Sequence, residues 1–349
     1  MRNGSFHFLL MVLLAWPAAA SAQLARSADD HTMAQGQSDS KNPSAAPKEG
    51  ENWRAIDDIR SGLEPRPPFL IQKDEEPEFV REFVRVQWRA GDPIDLWIMR
   101  PKTGGRVPVV LYLYSYPDDP VQFRDNGWAQ RATAGGFAAV GFVSALTGQR
   151  YHMRPMKEWF ISELPESIGS SVHDVQLILN YLATRADMDV DHVGMFGMGS
   201  GASIAILAAR ADSRIKALDL LDPWGDWPDW LRESPLVPAG ERPRYVTPEF
   251  LKSVAALDPV AYLPFLRTQS LRVQQTLSEP VTPASSKERM GAAVPDPIQL
   301  VKYTNANDLR KAWQISGLSG WIKQQLRSET HYDERSGGLT ASDASSDRN

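Results

Sequence analysis

The residues of greatest chemical interest lie in a glycine-rich turn between an apolar strand and a helix. The turn reads Gly197-Met198-Gly199-Ser200-Gly201, and the apolar helical segment ASIAILAAR follows it. A helix that begins at such a turn directs backbone N–H groups toward one point and favours negative charge there. Three kinds of site use this arrangement: a phosphate-binding loop, a dinucleotide-binding turn, and a sharp turn that presents a nucleophile.

The phosphate and dinucleotide interpretations fit the turn poorly. A phosphate-binding loop needs Lys before its Ser or Thr, and this turn contains no Lys. A dinucleotide-binding turn needs a third small Gly where Ala202 stands, and an acidic residue at the end of the next strand. Asp219 and Asp222 satisfy the second requirement only weakly.

The nucleophile interpretation fixes which residue lies at the tip of the turn. In such a turn the residues two positions before and two positions after the nucleophile must be small. Gly197 and Gly201 satisfy this requirement around Gly199. A frame centred on Ser200 would place the large side chain of Met198 at one of these positions. The sequence therefore predicts Gly199 at the nucleophile position, with Ser200 as the alternative nucleophile.

Apolar and alternating segments predict the elements that hold this turn. A strand over Phe79–Trp88 and a second over Ile94–Met99 are separated by Gly-Asp-Pro and predict an antiparallel hairpin. Continuous apolar runs then alternate with helical patterns, which predicts a mostly parallel central sheet with helices on both faces. The predicted strands are Val109–Tyr114, Phe137–Val143, His192–Phe196 and Ile215–Leu221, and the predicted helices include Trp128–Ala134, Val172–Leu182 and Ser203–Arg210.

The segment VGMFGMGSGASIAILAAR resembles the strand–turn–helix of the α/β-hydrolase fold superfamily, whose turn has the pattern G-x-S-x-G. The resemblance continues over most of the predicted folded domain. These further segments are similar to dienelactone-hydrolase-like and acyl-peptidase-like serine hydrolases. The other segments that carry it are SVHDVQLILNYLATRADMDVDHVGMFG, TPEFLKSVAALDPVAYLPFL, SEPVTP, KYTNANDLRKAW and GWIKQQL.

The resemblance implies where a catalytic triad would lie. SEPVTP places Glu279 at the acid position, and KYTNANDLRKAW places Asp308 at the histidine position. A serine hydrolase needs a nucleophile, an imidazole and an acid, whereas this chain has Gly199, Asp308 and Glu279 in those positions. We therefore expect a protein that has lost serine-hydrolase chemistry, a pseudoenzyme that binds a small ligand or a protein partner. The alternatives are an ester or peptide-bond hydrolase that uses Ser200 with an unidentified base, and metal-assisted hydrolysis by Asp308 and neighbouring carboxylates.

Histidines elsewhere offer no obvious base. His331 lies in a polar segment after the last predicted helix, and His152 and His173 precede the turn. His192 begins the strand before the turn, where a structural role is expected.

The resemblance also implies two backbone donors of an oxyanion hole. One is the N–H of Ser200, and the other comes from the loop after the third predicted strand, where Tyr116 stands. These donors predict a small carbonyl or carboxylate ligand, unless Tyr116 fills the vacated pocket. Trp224 and Trp227 come after the predicted strand Ile215–Leu221. We expect them either to line a pocket or to pack in the core. Tyr116, Ser200, Trp224 and Trp227 are thus the candidate ligand-binding residues. Nearby Asp222, Asp226 and Asp229 match no cation-binding loop.

Composition narrows the possible functions further. The 349 residues carry a net charge of −5, which argues against a nucleic-acid-binding protein because such proteins present a basic surface. The absence of cysteine excludes disulfides, thiolate metal sites, iron–sulfur clusters and a cysteine nucleophile. We expect neither a cofactor nor a resident metal.

The two ends of the chain have their own composition. Residues 1–22 combine Arg2, an apolar run and Ala-Ser-Ala before Gln23, the pattern of a signal peptide. Residues 23–51 and 328–349 are polar and predict a disordered linker and a disordered tail around an α/β-hydrolase domain over 52–327. We expect export to a periplasm or the medium, with no membrane anchor after cleavage.

Overall fold

The computed structural model describes residues 52–56, 66–89, 92–102, 105–116, 120–146, 161–296 and 299–327. The predicted signal peptide, linker and C-terminal tail lie outside the described residues. The described residues belong to a compact unit whose first residue is Asn52.

A nine-stranded sheet forms the centre of the described part, in the order β1-β2-β3-β5-β4-β6-β7-β8-β9. The first three strands pair antiparallel, β3 also pairs antiparallel with β5, and all the other neighbours from β5 to β9 are parallel. The strands are β1 Phe69–Glu75, β2 Phe79–Arg89, β3 Asp92–Pro101, β4 Val107–Leu113, β5 Ala138–Phe142, β6 Met188–Met198, β7 Ile215–Leu221, β8 Ser270–Thr276 and β9 Leu300–Tyr303.

Helices cover both faces of this sheet. The α-helices are α1 Asn126–Thr133, α2 Leu164–Ala183, α3 Ser200–Ala211, α4 Trp227–Glu233, α5 Arg242–Tyr245, α6 Pro248–Ala255, α7 Pro259–Tyr262, α8 Ala284–Ala292 and α9 Ala306–Ser316. Short 3-10 turns lie at Pro120–Arg124 and Leu263–Phe265, and a further helical segment covers 320–327. Among the described residues, no helix combines the length and apolar character needed to cross a bilayer.

Alternation along each strand divides the core into two layers. Val109 and Leu111 of β4 pack with α2 and α3, whereas Val110 and Tyr112 pack with α1, α9 and the segment 320–327. Because both faces of the central strands are covered, these strands are apolar at nearly every position. This arrangement confirms the predicted hairpin, which is β2 and β3, and the mostly parallel sheet.

The sequence did not reveal β1. Its seven residues are almost all exposed, so β1 shows no alternation between buried and exposed positions. It pairs with β2 at the edge of the sheet, with a register shift between Leu70 and Gln72. Backbone pairing rather than side-chain burial holds it, and a hydrophobic pattern cannot predict such a strand.

Candidate active site

The turn between β6 and α3 has the sharp geometry that its glycines predict. Gly199 has φ 54° and ψ −119°, a conformation that L-residues rarely adopt. A Cβ atom on Gly197 would lie 2.6 Å from the Ala202 Cα, and one on Gly201 would lie 2.7 Å from the Leu113 carbonyl carbon. Both flanking positions must therefore be glycine, and Gly199 lies at the tip of the turn.

The space above Gly199 is filled by Ser115. A Cβ atom built on Gly199 would lie 2.7 Å from the Ser115 Cβ and closer still to the Ser115 Oγ. Ser115 reaches this place because it follows β4, whose parallel pairing with β6 aligns Leu113 with Gly197. Ser115, rather than Tyr116, thus occupies the position of a nucleophile side chain.

The two predicted oxyanion-hole donors are hydrogen-bonded within the protein. The Ser200 N–H donates to the Ser115 Oγ at 3.3 Å, and the Tyr116 N–H donates to the Ser200 Oγ at 2.9 Å. The Ser115 hydroxyl in turn donates to the Tyr116 carbonyl at 3.2 Å. Ser200 is fully buried, and Tyr116 is half-buried, which raises the pKa of its phenol. A carbonyl ligand would have to displace these internal hydrogen bonds to reach either N–H group.

The predicted acid follows β8 and is already engaged. Glu279 accepts hydrogen bonds from the Val281 N–H at 2.6 Å and the Thr282 N–H at 3.1 Å. The Lys287 Nζ lies 3.5 Å from the Glu279 carboxylate. These contacts hold the loop after β8 in place.

A second carboxyl group, which the sequence did not single out as an acid, lies at the end of β7. Burial and the neighbouring Glu279 raise the pKa of Asp222 to about 7. Asp222 accepts a hydrogen bond from the Thr276 N–H at 2.6 Å and has φ 45°.

Asp308 lies in the first turn of α9 and is partly exposed. Its carboxylate accepts a hydrogen bond from the Asn305 side chain at 3.3 Å and lies 3.9 Å from the Lys311 Nζ. In the part of the chain that the structure describes, no hydrogen bond or ion pair joins Asp308 to Glu279. The predicted histidine position thus holds a carboxylate whose partners, Asn305 and Lys311, belong to the start of its own helix.

The described histidines make their hydrogen bonds elsewhere. The His173 Nε2 on α2 lies 3.3 Å from the Ala55 carbonyl oxygen, and the His192 Nδ1 on β6 lies 2.7 Å from the Asp189 carboxylate. His152 and His331 lie outside the described residues.

The geometry of the turn agrees with two comparisons with known proteins. The family model of X-Pro dipeptidyl-peptidase (S15 family) matches residues 90–325, more than half of the chain. The chain belongs to the S15 family.

Solved structures confirm the α/β-hydrolase fold of this S15 family member. An acetyl xylan esterase from Paenibacillus sp. R4 is 17% identical with a TM-score of 0.60, covering 80% of this chain and 96% of that chain. Acetyl xylan esterase 1 from Thermoanaerobacterium sp. JW/SL YS485 is 15% identical with a TM-score of 0.58, and the match covers 76% of this chain and 92% of the esterase. A putative dipeptidyl aminopeptidase IV from Bacteroides ovatus is 16% identical with a TM-score of 0.54, and the match covers 72% of this chain and 36% of the peptidase. A comparison with curated proteins gives no match.

The tryptophans of this S15 family member form a buried cluster beside the turn. The rings of Trp224 and Trp227 lie 4.9 and 5.6 Å from the ring of Trp230, and Trp224 and Trp227 are only 2% and 1% exposed. The Trp227 Nε1–H donates to the Leu257 carbonyl at 2.9 Å. The Trp224 Nε1 instead lies 3.1 Å from the Cβ position above Gly199. Sequence reasoning found these rings but missed both the direction of this N–H and the role of Ser115.

Asp226, which follows β7 as Asp222 does, also has structural partners. Asp226 is buried with φ 57°, and its carboxylate lies 2.8 Å from Arg289. Its own N–H and that of Trp227 donate to Asp258. Among the described residues, no group of three or more His, Cys, Asp or Glu side chains is arranged to hold a metal ion.

Proposed function

We propose that this S15 family member is an exported, non-catalytic α/β-hydrolase-fold protein that acts by binding a small ligand or a protein partner. One observation carries the proposal: the nucleophile position has no side chain of its own, and Ser115 fills the space above it. Acyl transfer by this fold needs a hydroxyl at the tip of the turn and free N–H donors for the oxyanion. Here the tip is Gly199 and the predicted donors are bonded to serine side chains.

The environment of Ser200 argues against the alternative nucleophile. Its Oγ accepts a hydrogen bond from the Tyr116 N–H, and its side chain is fully buried at the start of α3. A serine is a weak nucleophile unless a neighbouring base removes its proton. Among the described residues, the only side-chain hydrogen bond of Ser200 is the one from Tyr116.

The proposal is tested with a fluorophosphonate probe, which labels serines that a neighbouring base activates. We expect no stoichiometric labelling of the purified mature protein and no hydrolysis of 4-nitrophenyl acetate that depends on Ser200 or Ser115. Ser200→Ala and Ser115→Ala should therefore behave like the wild-type protein in both assays. Labelling of Ser200, abolished in Ser200→Ala, would overturn the proposal and establish a serine hydrolase with an unidentified base.

A further inference from the structure

Strand β1 leaves one edge of the central sheet unpaired. It is the first strand in the sheet order, and among the described residues no strand pairs with its outer side. Phe69, Leu70 and Ile71 are 73%, 50% and 42% exposed, so three consecutive large apolar side chains lie in solvent at this edge. Unpaired backbone N–H and C=O groups beside exposed apolar side chains form a template for a further strand.

The charges along this edge favour one particular occupant, a second copy of the same strand. Arg66 lies before the strand and is exposed, whereas the acidic residues Asp74, Glu75 and Glu76 lie at its end. Arg66 and Pro67 both precede a proline, which favours an extended backbone that continues the strand. A segment with a basic start, an apolar middle and an acidic end is complementary to itself when two copies run antiparallel.

The register of β1 against β2 determines how two copies align. Two steps along β1, from Leu70 to Gln72, correspond to one step along β2, so Ile71 is an extra residue. A two-fold axis at Leu70 brings the apolar side chains of both copies together. Because the extra residue does not advance the register, Arg66 and Glu75 then lie equally far from the axis. Arg66 of each copy therefore lies opposite Glu75 of the other.

Glu75 lies on the correct face and is accessible for this pairing. Its partner on β2 is Val80, and the partner of Leu70 is Val84, so both β1 residues share one face of the sheet. The Glu75 carboxylate lies 2.9 Å from the Lys73 Nζ and its side chain is still 60% exposed. A cation from a second copy can therefore reach it.

We infer that β1 is a self-association surface, through which two copies of this chain pair antiparallel across a two-fold axis at Leu70. The surface is isologous, since Leu70 meets Leu70 and each Arg66 meets a Glu75. It joins the two nine-stranded sheets into one and covers the exposed apolar edge of both. The inference is independent of the proposed function, because four strands separate β1 from β6 and the turn that follows it.

Sedimentation velocity of the chain that begins at Gln23 tests the inference. We expect a reversible monomer–dimer equilibrium at micromolar concentration. Leu70→Lys, which places like charges opposite each other at the axis, should weaken dimerisation by about tenfold or more. Ile315→Lys is the matched control, because Ile315 is 89% exposed on α9, outside the strand. A wild-type chain that stays monomeric, or equal effects of the two variants, would overturn self-association at β1.

A charge exchange tests the antiparallel register. Arg66→Glu and Glu75→Arg should each weaken dimerisation by about tenfold, since every dimer contains two such pairs and each would become repulsive. The double variant should recover most of the wild-type affinity. Failure of the double variant to recover would rule out the pairing of Arg66 with Glu75.

Cross-linking locates the axis directly, because the chain contains no cysteine. Leu70→Cys introduces a single thiol that meets its counterpart across the axis. Copper phenanthroline and oxygen should therefore convert this variant to a disulfide-linked dimer. Ile315→Cys should remain monomeric under the same conditions. Equal yields of cross-linked dimer from both variants would show random collision and contradict the two-fold axis at Leu70.

Discussion

Gly199 and Ser115 depend on each other. The tip of the turn requires positive φ, which glycine adopts without strain, and the space that a Cβ would occupy is filled by the Ser115 side chain. Ser115 also accepts the hydrogen bond of the Ser200 N–H, which would otherwise lack a partner at the start of the helix. A serine at 199 would therefore conflict with both the backbone conformation and the Ser115 side chain.

Gly199→Ser should lower the free energy of unfolding by about 2–4 kcal/mol, from backbone strain and the clash with Ser115. Chemical denaturation measures this loss. Adding Ser115→Gly should restore part of it, because the clash is removed while the strain remains. Gly136→Ser, with positive φ but no atom within 4 Å of the new Cβ, isolates the strain. If Gly199→Ser is no worse than Gly136→Ser, Ser115 does not fill the site in solution.

At the scale of elements, the ends of β7 and β8 are joined through the buried carboxyl group of Asp222. Asp222, which follows β7, accepts a hydrogen bond from the Thr276 N–H of β8. Glu279 and Lys287, which form an ion pair, lie in the segment after β8. Burial and Glu279 disfavour the ionised form of Asp222, so its pKa is raised to about 7. The folded protein therefore keeps a proton on Asp222 that the unfolded chain releases near pH 4.

This difference predicts how stability depends on pH. The contribution of the protonated Asp222 is fully present below pH 4 and is lost as the pH rises toward 7, because the folded state binds more protons in this range. Asp222→Asn keeps an acceptor for the Thr276 N–H, suits the positive φ, and removes the ionisation. Its melting temperature should exceed that of the wild type by a margin that grows from pH 5 to about pH 7 and levels off above it. A constant margin would show that Asp222 does not titrate in this range.

At the scale of the whole molecule, the folded unit includes a short segment before the first strand. Residues 52–56 lie against α2, where the Gln176 side chain donates to the Ile56 carbonyl at 3.1 Å and Ile56 is buried. A Cβ on Gly169 would lie 2.5 Å from the Trp53 Cβ, so the helix has a glycine where this segment crosses it. The segment completes the α2 side of the core although it contains no strand or helix.

Truncation should reveal this boundary. A chain that begins at Asn52 and ends at Arg327 should melt within about 2 °C of a chain that begins at Gln23, because the removed residues are polar and offer little apolar surface for burial. A chain that begins at residue 57 should lose about 2–4 kcal/mol of stability, since it loses the buried Ile56 and the acceptor of Gln176. Thermal melts of both truncated chains, compared with the chain that begins at Gln23, provide the measurement. Equal stability of the two truncated chains would contradict the docking of residues 52–56.

The sequence by itself determined the sheet of alternating strands and helices and the frame of the turn. Apolar runs identify strands buried on both faces, and only glycine fits at 197 and 201, so both features are encoded locally. The family resemblance adds the prediction that Glu279 stands at the acid position and Asp308 at the histidine position. Strand β1 was not predicted from the sequence, because backbone pairing holds it in place and none of its faces is buried.

Only the tertiary structure decided what fills the site. Ser115 and Ser200 are 85 positions apart, and no local pattern relates them. They meet because β4 and β6 pair in parallel with Leu113 opposite Gly197, which brings the ends of both strands to one edge of the sheet. The orientation of the Trp224 indole likewise follows from its packing on Trp230. Sequence patterns record which residues are buried, whereas the direction of a buried side chain depends on neighbours that distant parts of the chain supply.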